Sequence, residues 1–166
     1  LVTTITMVMV TNTMNLNEIV RAQAGWFFHW HIFRLDISLL MPVAFLIFFV
    51  CSLAETNRAP FDMAEAESEL IAGAYTEYPG MGFGVFFMGE YANIVIGCAL
   101  SVILFLGGWQ SPIPFHPVGF LGVIWGLFWF LTKLYALIFT VIWIRWTYPR
   151  TQFYELLNLS WKVLIP

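Results

Sequence analysis

Three stretches of this chain are so long, so apolar and so poor in charge that they set the fold class before any motif is read. Residues 37–54, "ISLLMPVAFLIFFVCSLA", run for 18 residues without a charge. Residues 81–106, "MGFGVFFMGEYANIVIGCALSVILFL", hold a single acid, Glu90. Residues 118–144, "VGFLGVIWGLFWFLTKLYALIFTVIWI", hold a single base, Lys133. A helix of about 20 apolar residues crosses the hydrocarbon of a bilayer. Lipid offers no hydrogen bonds to a backbone, and an open strand would leave its polar groups unsatisfied there. All three stretches are therefore expected to be transmembrane helices, the latter two long enough to tilt. Pro42, near the start of the first, is tolerated in such a helix.

Composition agrees. Charged residues are 10% of the chain, against about 25% in ordinary soluble domains. The net charge of −3 gives no case for nucleic-acid binding. Cys51 and Cys98 are isolated in apolar runs, so neither a disulfide, a zinc site nor a redox motif can be built from them. No metal site is expected. His29 and His31 form an H-x-H pair without further ligands nearby, and are expected at the lipid headgroups with the aromatics around them.

The expected organisation is a single membrane domain over residues 1–166. Residues 1–14 read as a partial helix, the tail of one whose beginning lies elsewhere. Residues 15–36 read as an interfacial loop, and 107–119, "GGWQSPIPFHPVG", as a hairpin connection without Lys or Arg. The loop 55–80 and the segment 145–166 then share one face, with Arg58, Arg145, Arg150 and Lys162. The other face carries Arg21 and Arg34. The excess of positive charge places the first face on the cytoplasmic or matrix side.

That loop contains "ETNRAPFDMAEAESELIAGAYTEY", residues 55–78. It carries six of the chain's ten acids: Glu55, Asp62, Glu65, Glu67, Glu69 and Glu77. Pro60 suits a first helical turn, Thr56 or Asn57 can cap it, and Gly73 can end it. Asp62, Glu65 and Glu69 then share one face of a short helix, and Glu67 points to the opposite side. One reading is a solvated helix with acids near its N-terminus. The other starts from the shortage of bases, since Arg58 is the only one in the window. Crowded carboxylates cannot all ionise at low cost, so such a group can hold protons near neutral pH and pass them on. Glu90 favours the second reading. It lies inside a span with Asn93 one turn on, and Gly82, Gly84, Gly89 and Gly97 permit close helix approach. Lys133 is the intramembrane base of the next span. Together these residues suggest a proton path.

At these residues the chain resembles a known family. Residues 54–94, "AETNRAPFDMAEAESELIAGAYTEYPGMGFGVFFMGEYANI", are similar to the NADH dehydrogenase subunit 1 family, the membrane subunits that help to form the ubiquinone chamber of respiratory complex I. A shorter match is "WIRWTYPRTQFYELLNLSWK", residues 143–162. Gln152 departs from the family, which often has a base just after Y-P-R. The resemblance implies that this chain holds the end of the fourth of eight helices and all of the fifth, sixth and seventh, stopping where the last begins. A further chain would then supply the missing helices. It implies a matrix-side acidic loop lining the quinone cavity through Arg58, Phe61, Asp62, Phe87, Arg145 and Arg150. It implies a proton relay through Glu55, Asp62, Glu65, Glu67, Glu69, Glu77 and Glu90. It implies ubiquinone as substrate, no cofactor in this chain, and iron–sulfur clusters and FMN in partner subunits. The expected location is the mitochondrial inner membrane, with the bacterial plasma membrane or thylakoid as alternatives. An equivalent subunit of a membrane-bound hydrogenase or a photosynthetic complex would share the fold. A free-standing cation channel or carrier is the reading from another class, and the chain shows no internal repeat of the kind many carriers have.

Overall fold

The computed structural model describes residues 2–33, 40–56, 61, 80–113, 117, 119–149 and 153–164. Among them every regular element is helical. The α-helices are α1 (Val2–Thr11), α2 (Leu16–Ala22), α3 (Leu40–Glu55), α4 (Met81–Phe105), α5 (Phe120–Thr147) and α6 (Phe153–Leu159). A 3-10 turn covers Phe27–His29, and a π-helical turn, Ser160–Leu164, follows α6. Two stretches are long and apolar enough to cross a membrane: Gly84–Phe105 within α4, and all of α5. The described part of α3 has 16 residues, about 24 Å of helix. Its expected first residues, 37–39, lie outside the described set, as does the short helix expected after Pro60.

The chain divides into two compact units, Leu1–Val50 with Gly97–Leu137, and Cys51–Ile96 with Ile138–Pro166. The first unit has a defined apolar core. Met7 of α1, Ile19 of α2, Met41 and Ala44 of α3, and Leu104 and Phe105 of α4 are buried together. Val10, Phe45 and Phe48 pack around them. Phe105 anchors the cluster, meeting the Phe45 ring edge-on at 5.4 Å and the Phe48 ring at 5.7 Å. Edge-on and tilted contacts of this kind add to the area that each ring buries.

Within the expected loop 15–36, the described residues 15–33 contain a helix. Asn15 starts a helix there, its side-chain oxygen accepting the Asn17 N–H at 3.0 Å. Glu18 stands in the first turn and Arg21 in the last, as the helix dipole favours. Burial of Ile19 and Val20 fixes the helix to its neighbours. Trp30 and His31 are also buried rather than held at a surface, whereas His29 is exposed. The two histidines therefore have different surroundings, and among the described residues no three His, Cys, Asp or Glu side chains gather as a metal site would require.

In the second unit, Leu53, Thr56, Phe61 and Val141 are buried. Thr56 pairs backward onto α3, and the helix it was expected to cap lies outside the described residues. Its hydroxyl donates to the Leu53 carbonyl at 3.0 Å and its N–H to the Ser52 carbonyl at 3.2 Å, so it closes the end of α3. A hydroxyl just past a helix end has unpaired carbonyls within reach, and these compete with any capping role downstream. Among the described residues, the expected close approach at two glycines of α4 is not made. A Cβ at Gly84 or Gly89 would meet nothing within 4 Å. Met81, Val85, Phe86, Met88, Tyr91, Val95 and Ile96 along the same stretch are exposed.

Candidate functional site

The C-terminal end of α4 is enclosed by other segments of its unit, and this creates a problem. The last carbonyls of a helix have no partner within it, and a buried one left unpaired is costly. Each of these carbonyls is met in turn. Val102 O accepts from the N–H groups of Leu106 at 3.1 Å and Gly108 at 2.9 Å. Ile103 O and Leu104 O both accept from the Gln23 amide, each at 3.2 Å. Phe105 O accepts from the Ile32 N–H at 3.2 Å. Leu106 O accepts from the Lys133 ammonium at 2.7 Å.

Gln23 is fully buried, and its two polar ends serve different segments. The two Nε2 hydrogens are shared among the Ile103 and Leu104 carbonyls and Ile19 O, also at 3.2 Å, while Oε1 accepts the His31 N–H at 3.3 Å. One amide thereby ties α2, the turn at residue 31 and the end of α4. Gln23→Leu keeps the bulk and removes the bonds. Each buried group left unsatisfied costs about 1–3 kcal/mol, so a loss of roughly 2–4 kcal/mol is expected once relaxation is allowed. Thermal unfolding in detergent checks this, and an unchanged midpoint would show that other donors meet these carbonyls.

Lys133 is buried and lies 13 residues into α5, about 20 Å from its start. Its ammonium nevertheless reaches Leu106 O at 2.7 Å, Gly108 O at 3.1 Å and Gln110 O at 2.6 Å. Helix α4 thus ends beside the middle of α5. Residues 106–110, which follow it, lie against α5. Glycines permit this. A Cβ at Gly126 would touch Trp109, and one at Gly122 would run into the Pro117 carbonyl oxygen. An apolar cleft of about 660 Å³ remains beside the same glycines, walled by Ile103, Trp109, Val123, Leu127 and Phe130. The Trp30 ring covers the ammonium, with Nζ 4.0 Å from its centroid, within cation–π range. No carboxylate is among these partners.

The residues expected from sequence fall in three groups. Arg58, Asp62, Glu65, Glu67, Glu69, Glu77 and Arg150 lie outside the described residues. Glu55 is exposed as the last residue of α3, and Arg145 is exposed near the end of α5. Phe61 is buried, while Phe87 and Glu90 of α4 are half-buried. Only Lys133 sits in a network described in full. Its partners Trp30, Leu106, Gly108 and Gln110, and the neighbouring Gln23, went unnoticed in the sequence. The Gly-Gly pair directly after an apolar run was the available signal, since it marks a sharp change of chain direction.

Known proteins match the chain along its whole length. The family profile described as NADH dehydrogenase matches residues 1–166. The chain is 59% identical over 169 residues to the H subunit of NADH-quinone oxidoreductase from Desulfotalea psychrophila, covering 100% of this chain and 48% of that protein. It is 46% identical to the H subunit numbered 2 of the same kind of enzyme from Geobacter metallireducens, covering 98% of this chain and 42% of that protein. It is 47% identical to the H subunit from Chlorobaculum tepidum, covering 95% of this chain and 45% of that one. The chain thus spans a little under half the length of these relatives. A profile match along the whole sequence and identities of this size decide the family: the chain belongs to the NADH dehydrogenase family.

Proposed function

We propose that this chain forms part of the quinone-binding membrane subunit of a proton-pumping NADH–quinone oxidoreductase. The observation that carries this reading is the 59% identity along the whole chain to a protein named as a subunit of an NADH-quinone oxidoreductase. Arg58, Phe61, Asp62, Phe87, Arg145 and Arg150 line part of the quinone cavity. Arginine guanidinium groups suit this because they hold carboxylates or anionic groups through paired hydrogen bonds. Glu55, Asp62, Glu65, Glu67, Glu69, Glu77 and Glu90 begin the proton relay. Quinone reduction consumes protons and changes the local charge. Carboxylates at close range respond together, because the protonation of each depends on the others.

The chain itself supplies walls, charges and proton-holding groups. Quinone is the substrate, and the iron–sulfur clusters and FMN that deliver electrons belong to partner subunits. Those partners include hydrophilic subunits at the quinone site and a chain that packs further helices against α4, whose exposed apolar residues and open glycines at 84 and 89 suit such a contact. The relatives are bacterial, which favours the bacterial plasma membrane over the mitochondrial inner membrane.

The test uses Glu65→Gln and Glu67→Gln in the assembled complex. Each keeps shape and removes a titrating group. Quinone reductase activity and coupled proton transfer should both fall, by on the order of tenfold or more. Wild-type values for both in well-assembled complex would make that carboxylate a solvated bystander.

A further inference from the structure

Three backbone carbonyls converge on one point beside α5, and the group found there is the end of a lysine. Gly107 and Gly108 make this possible. Both have positive φ, 74° and 52°, so the chain turns sharply between the carbonyls of Leu106, Gly108 and Gln110. The Nζ to oxygen distances run from 2.6 to 3.1 Å. An ammonium group has three N–H donors and no acceptor, so it satisfies three carbonyls at once. A neutral amine has two donors and would turn a lone pair toward the third oxygen. The face of Trp30 completes the enclosure, and the Trp30 N–H makes no hydrogen bond among the described residues. The ring is therefore placed by its face, as a cation requires, and not by its donor.

We infer that Lys133 is a tethered cation occupying a carbonyl-lined site, and that it acts as a fixed charge holding residues 106–110 against α5 instead of carrying protons. The site is of a kind that takes a monovalent cation, and here the cation is attached to the chain. Tethering has a physical advantage. A free ion would have to be bound from solution, whereas an ammonium on α5 is present whenever that helix is docked. The ammonium also neutralises the dipole at the enclosed end of α4. This reading takes Lys133 out of the proton path and leaves the carboxylate relay to stand or fall separately.

The test compares Lys133→Arg, Lys133→Gln and Lys133→Met in the assembled complex. Ser111, buried at the end of the same connector, is replaced by cysteine in a background with Cys51→Ser and Cys98→Ala. Labelling of Cys at position 111 by a maleimide is read on this subunit alone, so the readout does not depend on enzyme activity. Arginine keeps the charge and cannot release its proton. The arginine variant should label at the parent rate and move as many protons per electron as the parent. The methionine variant should label at least tenfold faster. If it fails to accumulate, the glutamine variant, which keeps two donors without the charge, should label several-fold faster. Parent-rate labelling in whichever neutral variants accumulate would overturn the inference. So would an arginine variant that labels at the parent rate yet loses proton transfer, because that pattern belongs to a proton carrier.

Discussion

Gly107→Val is expected to destabilise the folded chain by roughly 3–5 kcal/mol. Two costs combine. The backbone at Gly107 has φ of 74°, a conformation that costs an L-residue about 1–2 kcal/mol and a β-branched one more. The space is also taken, since a Cβ there would lie 2.8 Å from the Trp30 indole. Overpacking of that kind adds about 1–3 kcal/mol. Trp30 cannot simply move aside, because its other contact is the Lys133 ammonium. Thermal unfolding of the purified assembly and the amount of chain retained in the membrane are the measurements. If Gly107→Val left both the unfolding midpoint and the amount retained unchanged, the turn after α4 would not be held as described.

Glu90→Gln should lower coupled proton transfer on the order of 10²-fold while the complex assembles normally. Glu90 is half-buried on α4, one turn before Asn93, which is exposed. A carboxyl on a membrane-spanning helix is costly to keep and is by default a functional residue. The amide preserves shape and most hydrogen bonding but cannot exchange a proton. Quinone affinity should change little, since the proposed relay role lies beyond the binding step. Proton transfer per electron and the KM for a soluble quinone separate the two effects. Glu90→Ala supplies the comparison. Equal loss of assembly in both variants, without a selective defect in coupling, would make Glu90 a structural hydrogen bond.

Some of this was legible from local chemistry. Asn15 before Leu16 could be read as a helix start, yet the aromatic character of residues 15–36 pointed to an interface. Burial of Ile19, Val20, Trp30 and His31 within the chain is what the aromatic character did not reveal. Thr56 had two ways to use its hydroxyl, forward into a new helix or back onto α3. The position of the Leu53 carbonyl shows that the hydroxyl donates back onto α3. Lys133 was conspicuous as a lone base in an apolar run. Its partners are backbone carbonyls, and a carbonyl leaves no trace in residue identity.

The sequence by itself determined the helical class, the long apolar helices α4 and α5, and the family. Membrane-spanning helices are dictated by runs of apolar residues, because lipid forces the backbone to satisfy itself within each segment. Family membership follows from residue identity along the chain. Tertiary structure alone decided how the end of α4 is closed. There Gln23, Ile32 and Lys133, up to 110 residues apart in sequence, each supply a donor to consecutive carbonyls. Backbone acceptors are the same at every position. Which of them are left unpaired, and which distant side chain can reach them, depends on where helices stop and how they pack.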